Sequence, residues 1–199
     1  MYSPLADPER LAVYAPSEME GAEALAHRLR TLTALECLGL ADAQALKRWA
    51  DDALNHGVYD DALLSIRCEA SVFWQDHEAH WLVLARRCRI VVDAKDAALW
   101  LIGLLADRAM HDVARAPDAL IAIYDLFVVE MDWDFPLTWE NGLDELFDAY
   151  CEMDEPPQVH VPLERRGPFA RAAFRRWLDR HGARAEAAIT VDLSRLARL

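Results

Sequence analysis

The chain has 199 residues, of which 54% are hydrophobic and seven are tryptophan. This composition excludes a disordered chain and is sufficient for the core of one large domain or two small ones. The net charge of −13 disfavours nucleic acid and membrane surfaces as partners, because both are anionic.

The four cysteines lie far apart and form no C-x-x-C pair. In a chain of this length, the pattern is typical of buried thiols in a reducing compartment. The first residues, Met1 to Asp7, lack the basic and apolar segments of a signal peptide. The longest apolar run, residues 97–106, is too short to cross a bilayer, so it predicts a buried core helix. We therefore expect a cytoplasmic protein.

Helix starts recur along the first half of the chain. Asp7 with Pro8 predicts a short helix, and a capping box at Ser17–Glu20 predicts a second one over 18–38. Asp42 begins a third helix, which closes at His56-Gly57. Asp60 or Asp61 begins a fourth, whose expected inward residues are Leu63, Leu64, Ile66 and Val72.

The next helix is predicted to begin at Asp76 and to continue through Ile90–Val92. It carries Trp81, Leu82, Leu84, Ala85 and Cys88. Asp93 and Asp96 are candidate caps for the core helix that follows.

Proline divides the second half of the chain. Pro117 begins a helix, Trp133–Pro136 is a loop, and Thr138 or Asn141 caps a further helix. The proline-rich stretch 155–167 is expected to be an extended arm or a domain boundary.

An arginine-rich helix is predicted to follow Gly167-Pro168 and to end at His181-Gly182. Residues 188–193 alternate like a strand, and Ser194 is a candidate cap for a last turn. We predict an all-α protein, an irregular antiparallel bundle of about seven to nine helices in a single domain of residues 1–199, with a short C-terminal strand.

One segment, residues 116–164, carries the net charge, and we call it the acidic belt. It contains 13 carboxylates and neither Lys nor Arg, whereas the rest of the chain has 21 acidic and 21 basic residues. It is also aromatic, with Tyr124, Phe127, Trp133, Phe135, Trp139, Phe147 and Tyr150.

The acidic belt has two explanations, which the sequence leaves open. Residues 165–199 contain nine arginines against three acids, so this segment could neutralise the belt from within the chain. Alternatively, the belt binds a basic protein, since exposed carboxylates beside tryptophans are typical of an interface. Bacterial immunity proteins, which neutralise toxins, are one class with such a charge balance.

The second explanation gives our first functional hypothesis, a non-catalytic binding module of the immunity or antitoxin type. No cofactor is expected for it, and self-association is compatible with it. The residues expected to bind the partner are Glu130, Asp132, Trp133, Asp134, Phe135, Trp139 and Glu140.

A second hypothesis is an enzyme. His80, His111 and Asp112 resemble, in their order, the metal ligands of HD-type metal-dependent phosphohydrolases, and Asp179 is a candidate fourth ligand. The resemblance implies a divalent metal held by neighbouring nitrogen and oxygen atoms, and hydrolysis of a phosphate ester.

Overall fold

A computed structural model of the chain describes residue 5 and residues 7–12, 14–16, 19–130, 141–154 and 161–198. Within these residues there are nine α-helices, numbered here in chain order: α1 Pro8–Ala12, α2 Gly21–Cys37, α3 Ala43–Asn55, α4 Asp61–Cys68, α5 Trp74–Arg87, α6 Ala94–His111, α7 Ala116–Tyr124, α8 Leu143–Asp154 and α9 Leu163–Ala187. The only strands described are β1 (Val58–Tyr59) and β2 (Ala197–Arg198), which pair antiparallel. The all-α prediction is therefore confirmed.

The chain forms two compact units. The N-terminal unit comprises residues 8–93 and 189–199, and the C-terminal unit comprises residues 94–188 together with 1–7. The predicted extended arm or boundary at 155–167 stays a prediction: residues 155–160 lie outside the described part, and residues 163–167 begin α9. Whether the two units behave as one domain stays a prediction.

In the N-terminal unit, α2 and α3 pack against each other and contribute buried side chains to the core. The Trp49 indole on α3 is buried and donates a hydrogen bond to the Leu25 carbonyl on α2 at 2.9 Å. Asp42 and Asp60 cap α3 and α4, as predicted, by accepting from backbone N–H groups of the first turn. Val72 lies beyond the end of α4 and is exposed, so its predicted inward position is wrong.

Two helices of this unit end in the same way. In α2, Gly39 has φ 72°, Gly39 N–H bonds to the Glu36 carbonyl, and Leu40 N–H bonds to the Leu35 carbonyl. Helix α5 repeats this pattern with Arg89 at φ 52° in the glycine position. The predicted continuation through Ile90–Val92 is therefore wrong, because the left-handed turn at Arg89 has already stopped the helix.

Several other predicted helix starts and caps are not observed as predicted or lie outside the described residues. Helix α5 begins at Trp74, so the predicted start at Asp76 falls within its first turn. Ser17 and Thr138 lie outside the described residues, and the Glu20 side chain makes no capping bond to α2. Asn141 does not cap α8: its amide group donates to the Lys95 carbonyl instead.

In the C-terminal unit, α6 is the central helix and packs against α7 and α9. Most of its side chains are buried, as the apolar run predicts. Its contact with α9 is close at Gly103, where an added Cβ atom would lie 2.8 Å from Ala185 Cβ. The buried Trp177 indole of α9 donates to the Asn141 carbonyl at 2.8 Å, which ties α9 to the turn before α8.

Helix α9 is longer than predicted at both ends. It begins at Leu163, and Pro168 stands inside it as the sixth residue, where its missing N–H removes one helical hydrogen bond, to the Glu164 carbonyl. Gly167 lies within the helix, and a larger residue would not fit there, because an added Cβ would lie 2.8 Å from the Val113 carbonyl oxygen. The helix also passes through His181-Gly182, the predicted end, and finishes at Ala187.

The C-terminal strand is displaced from its predicted position. Residues 188–193 form no strand, and β2 lies at 197–198 opposite β1. Between them, Asp192 rather than Ser194 caps a 3-10 turn at Leu193–Arg195, and Asp192 N–H donates to the Cys88 carbonyl.

The cysteines are free and differ in exposure. Cys88 and Cys151 are buried, Cys37 is half-buried and Cys68 is exposed, so the prediction of buried thiols is wrong for Cys68. Burial raises the pKa of the Cys88 thiol to about 12, and Asp60 and Asp192 add to the shift. None of the helices in the described part of the chain is long and apolar enough to span a membrane.

Candidate functional site

The predicted partner-binding residues lie at the edge of what the structure describes. Residues 131–140 and the Glu130 side chain lie outside the described part, so the prediction for these seven residues stays a prediction. The described segments on either side of 131–140 are α7 with the turn that follows it, and α8.

A row of carboxylates lies along α8. Asp144, Asp148 and Glu152 are four residues apart, which places them on one side of a helix over about 12 Å. Asp148 and Glu152 are exposed and Asp144 is half-buried. None of the three makes an ion pair or a side-chain hydrogen bond within the described residues. We call these three residues the acidic row.

Two other carboxylates of α8 face α9 and are neutralised there. Glu145 pairs with Arg180, and Asp154 pairs with Arg166 at 2.6 Å. The arginine-rich helix therefore does compensate part of the acidic belt, as the first explanation of the charge predicts. It leaves the acidic row unpaired, so compensation is incomplete within the described residues.

Three aromatic rings stack between α7 and α8. Tyr124 and Tyr150 have ring centroids 4.4 Å apart with an interplanar angle of 17°, and Phe147 lies 6.1 Å from Tyr124. All three residues are half-buried, so each ring is packed on one side and partly exposed on the other. We call them the aromatic triad.

A π-helical turn, Asp125–Glu130, directly follows Tyr124 and leads to the undescribed residues 131–140. Such turns are rare and often occur at functional sites. Asp125, at its start, is buried and has an interaction partner. The turn therefore places a buried carboxyl directly after Tyr124 of the aromatic triad.

His181 of α9 lies against the turn that precedes α8. An added Cβ at Gly142 would lie 2.5 Å from His181 Nε2, and the imidazole is 5.4 Å from the Trp177 ring. Burial lowers the pKa of His181, and the Glu145 carboxylate opposes that shift. We therefore expect this imidazole to be neutral near neutral pH.

The residues of the HD-type hypothesis are not brought together as a metal site. His80 belongs to the N-terminal unit, whereas His111 and Asp112 lie at the end of α6 in the C-terminal unit. His111 contacts Asp107 and Asp112 caps a 3-10 turn while pairing with Arg115. Among the described residues, no group of three or more His, Cys, Asp or Glu side chains could hold a metal ion.

The acidic belt was predicted from the sequence, but the acidic row and the aromatic triad within it were not. The signal for the acidic row was its four-residue spacing, which predicts a single helix face. The aromatic triad carried no such signal, because its contacts join two helices that are separated in the sequence by residues 125–142.

Comparison of the chain with protein-family models, with curated proteins and with solved structures found no significant match. The function is therefore inferred from geometry and charge.

Proposed function

We propose that the chain is a non-catalytic binding module that docks a basic protein through the acidic row, the aromatic triad and the adjoining residues 130–140. The type is that of an immunity or antitoxin protein, which neutralises its partner by covering it. The observation that carries this proposal is the acidic row: three carboxylates on one side of α8 that make no ion pair and no side-chain hydrogen bond within the described residues.

The acidic row lowers the stability of α8, which supports a role in binding a partner rather than in holding the fold together. Like charges four residues apart on a helix destabilise it by about 0.2–0.5 kcal/mol per pair, and the row contains two such pairs. An internal arginine could remove the cost, as Arg180 and Arg166 do for Glu145 and Asp154. A cationic partner would remove it on binding.

In the proposed mechanism, charge determines the rate of association and aromatic area determines the rate of dissociation. The C-terminal unit contains 19 acidic and 10 basic residues, so its negative field attracts a basic partner and speeds association. The aromatic triad then supplies apolar area that slows dissociation. A cytoplasmic location belongs to the same proposal and is supported by the four free thiols.

The partner can be isolated by affinity capture from the native host at low salt, with release at high salt, followed by kinetic measurement with the purified pair. The double variant Asp148→Asn/Glu152→Gln should lower the association rate constant about two- to fivefold at low salt and flatten its dependence on ionic strength. Neutralising Asp132, Asp134 and Glu140 in the same way should have a similar effect. The dissociation rate constant should change little.

Glu186→Gln is the matched control, since it removes one exposed carboxylate of α9 outside the acidic belt. It should leave both rate constants nearly unchanged. In contrast, Tyr150→Ala should raise the dissociation rate constant about tenfold, with circular dichroism to verify the fold. An association rate constant that is equally insensitive to the acidic row and to Glu186 would contradict the proposal.

A further inference from the structure

Helix α5 of the N-terminal unit has an apolar surface exposed to solvent. Leu82 is 52% exposed and Val83 is 42% exposed, and Ala79, one turn earlier, is also exposed. Phe73, at the start of the helix, is 67% exposed, and Val91, just beyond its end, is 82% exposed. Leu82 and Val83 therefore face solvent.

The helical period explains why Leu82 faces outward. His77, Trp81 and Leu84 are spaced by four and three residues and are buried on the inner side of α5. Residues 75, 79, 82 and 86 have the same spacing on the opposite side of the helix. This outer side is apolar in its middle, at Ala79, Leu82 and Val83, where a solvated helix face would normally be polar.

The two ends of α5 carry exposed side chains of opposite charge. Asp76 and Glu78 are exposed at the N-terminal end, and Arg86 and Arg89 are exposed at the C-terminal end. Neither arginine makes an ion pair within the described residues, whereas the neighbouring Arg87 pairs with Asp60. Asp76 accepts a hydrogen bond from the Ser71 hydroxyl.

We propose that α5 binds the α5 helix of a second copy of this chain in an antiparallel arrangement, forming a twofold dimer. Turning one copy around an axis near Trp81 places Asp76 opposite Arg86 of the second copy, and Ala79 opposite Val83. Each charged end of the helix thus meets its opposite.

The exposed surface of α5 is complementary to itself, and a second copy of the chain is therefore its expected partner. In a twofold interface the same patch serves both sides, so an acidic end and a basic end on one helix satisfy each other. The N-terminal unit is also closer to neutral than the C-terminal unit, with 15 acidic and 11 basic residues. One helix pair buries a small area, so the dimer is expected to be weak.

This inference does not rest on the proposed function, because α5 and the acidic row belong to different units. Sedimentation equilibrium of the full chain, from micromolar to several hundred micromolar, should show a reversible monomer–dimer equilibrium. Leu82→Gln should raise the dissociation constant at least tenfold, since it places a polar group at the centre of the interface.

Exchanging the charges of Asp76 and Arg86 distinguishes the antiparallel dimer from non-specific hydrophobic association. Asp76→Arg alone and Arg86→Asp alone should each weaken the dimer about tenfold, because each places like charges opposite one another. The double variant Asp76→Arg/Arg86→Asp should restore association to within about threefold of the wild type. Circular dichroism of each variant verifies that α5 still folds.

Leu163→Gln is the matched control, because Leu163 is 78% exposed but lies in the C-terminal unit. It should leave the dissociation constant unchanged. A chain that is monomeric at every concentration would overturn the proposal. So would equal weakening by Leu82→Gln and Leu163→Gln, or a double charge variant no tighter than the single ones.

Discussion

At the start of α8, Gly142 combines two restrictions that can be separated by mutation. Its φ is 65°, and an added Cβ would lie 2.5 Å from His181 Nε2. Gly39 has a similar φ of 72°, but no atom lies within 4 Å of its added Cβ. Comparison of these two glycines isolates the cost of the contact from the cost of the backbone conformation.

We predict that Gly39→Ala lowers the free energy of unfolding by about 1 kcal/mol, the cost of the left-handed conformation. Gly142→Ala should lower it by about 2–3 kcal/mol, because the His181 imidazole must also move away from its place beside Trp177. Urea denaturation followed by circular dichroism measures both. Equal losses would mean that His181 moves freely.

Glu36 on α2 gives a prediction that depends on pH. Burial raises the pKa of its carboxyl above 4.5, a hydrogen bond from Trp81 opposes the shift, and Glu78 adds to it. Because the folded state holds this proton more tightly than the unfolded state, stability falls as the pH rises from 4.5 through the folded-state pKa. The destabilisation is complete above that pKa.

Glu36→Gln should therefore raise the melting temperature near neutral pH, since glutamine is uncharged and can still accept the Trp81 hydrogen bond. The gain should shrink as the pH is lowered through the same range. Glu78→Gln, at an exposed position, is the control and should give a smaller gain. A gain from Glu36→Gln that is independent of pH would contradict this explanation.

At the scale of the elements, α6 and α9 contact each other through small residues. Gly103 of α6 has Ala185 so close that an added Cβ would lie 2.8 Å from the Ala185 Cβ. Gly182 of α9 is different, because its added Cβ would make ordinary contacts of 3.5 Å and 3.8 Å with Leu178. Both glycines lie inside helices, where glycine is less favourable than alanine.

We predict opposite effects for the same substitution. Gly182→Ala should raise the free energy of unfolding by about 0.5–1 kcal/mol through helix propensity. Gly103→Ala should lower it by about 1 kcal/mol, because overpacking against Ala185 exceeds the propensity gain. Chemical denaturation of the two variants decides the sign. Stabilisation by both would show that α6 and α9 separate at little cost.

The elements also show which signals a sequence contains. Helix starts with an Asp cap, at Asp42 and Asp60, were predicted correctly because the side chain that makes the bond is itself the signal. The ending at Arg89 could not be predicted, because the left-handed position that glycine usually marks is taken by arginine. The start of α9 was hidden by Pro168, which the helix tolerates near its first turn.

At the scale of the whole chain, charge and burial differ in how well they can be predicted. The position of the acidic belt follows from the sequence, because charge is a property of each residue. Which carboxylates are neutralised depends on which helices pack together: Glu145 and Asp148 lie on the same helix, yet only Glu145 faces an arginine within the described residues. Leu82 shows the same limit for apolar residues.

The pairing of β1 with β2 has a consequence for the order in which the molecule is made. The N-terminal unit contains residues 189–198, which leave the ribosome after the entire α6–α9 segment. Until then, Val58 and Tyr59 lack their partner strand, and the Cys88 carbonyl lacks its bond from Asp192. Residues 8–93 are thus completed as a unit only when residues 189–198 follow, and residues 94–188 are synthesised between these two parts.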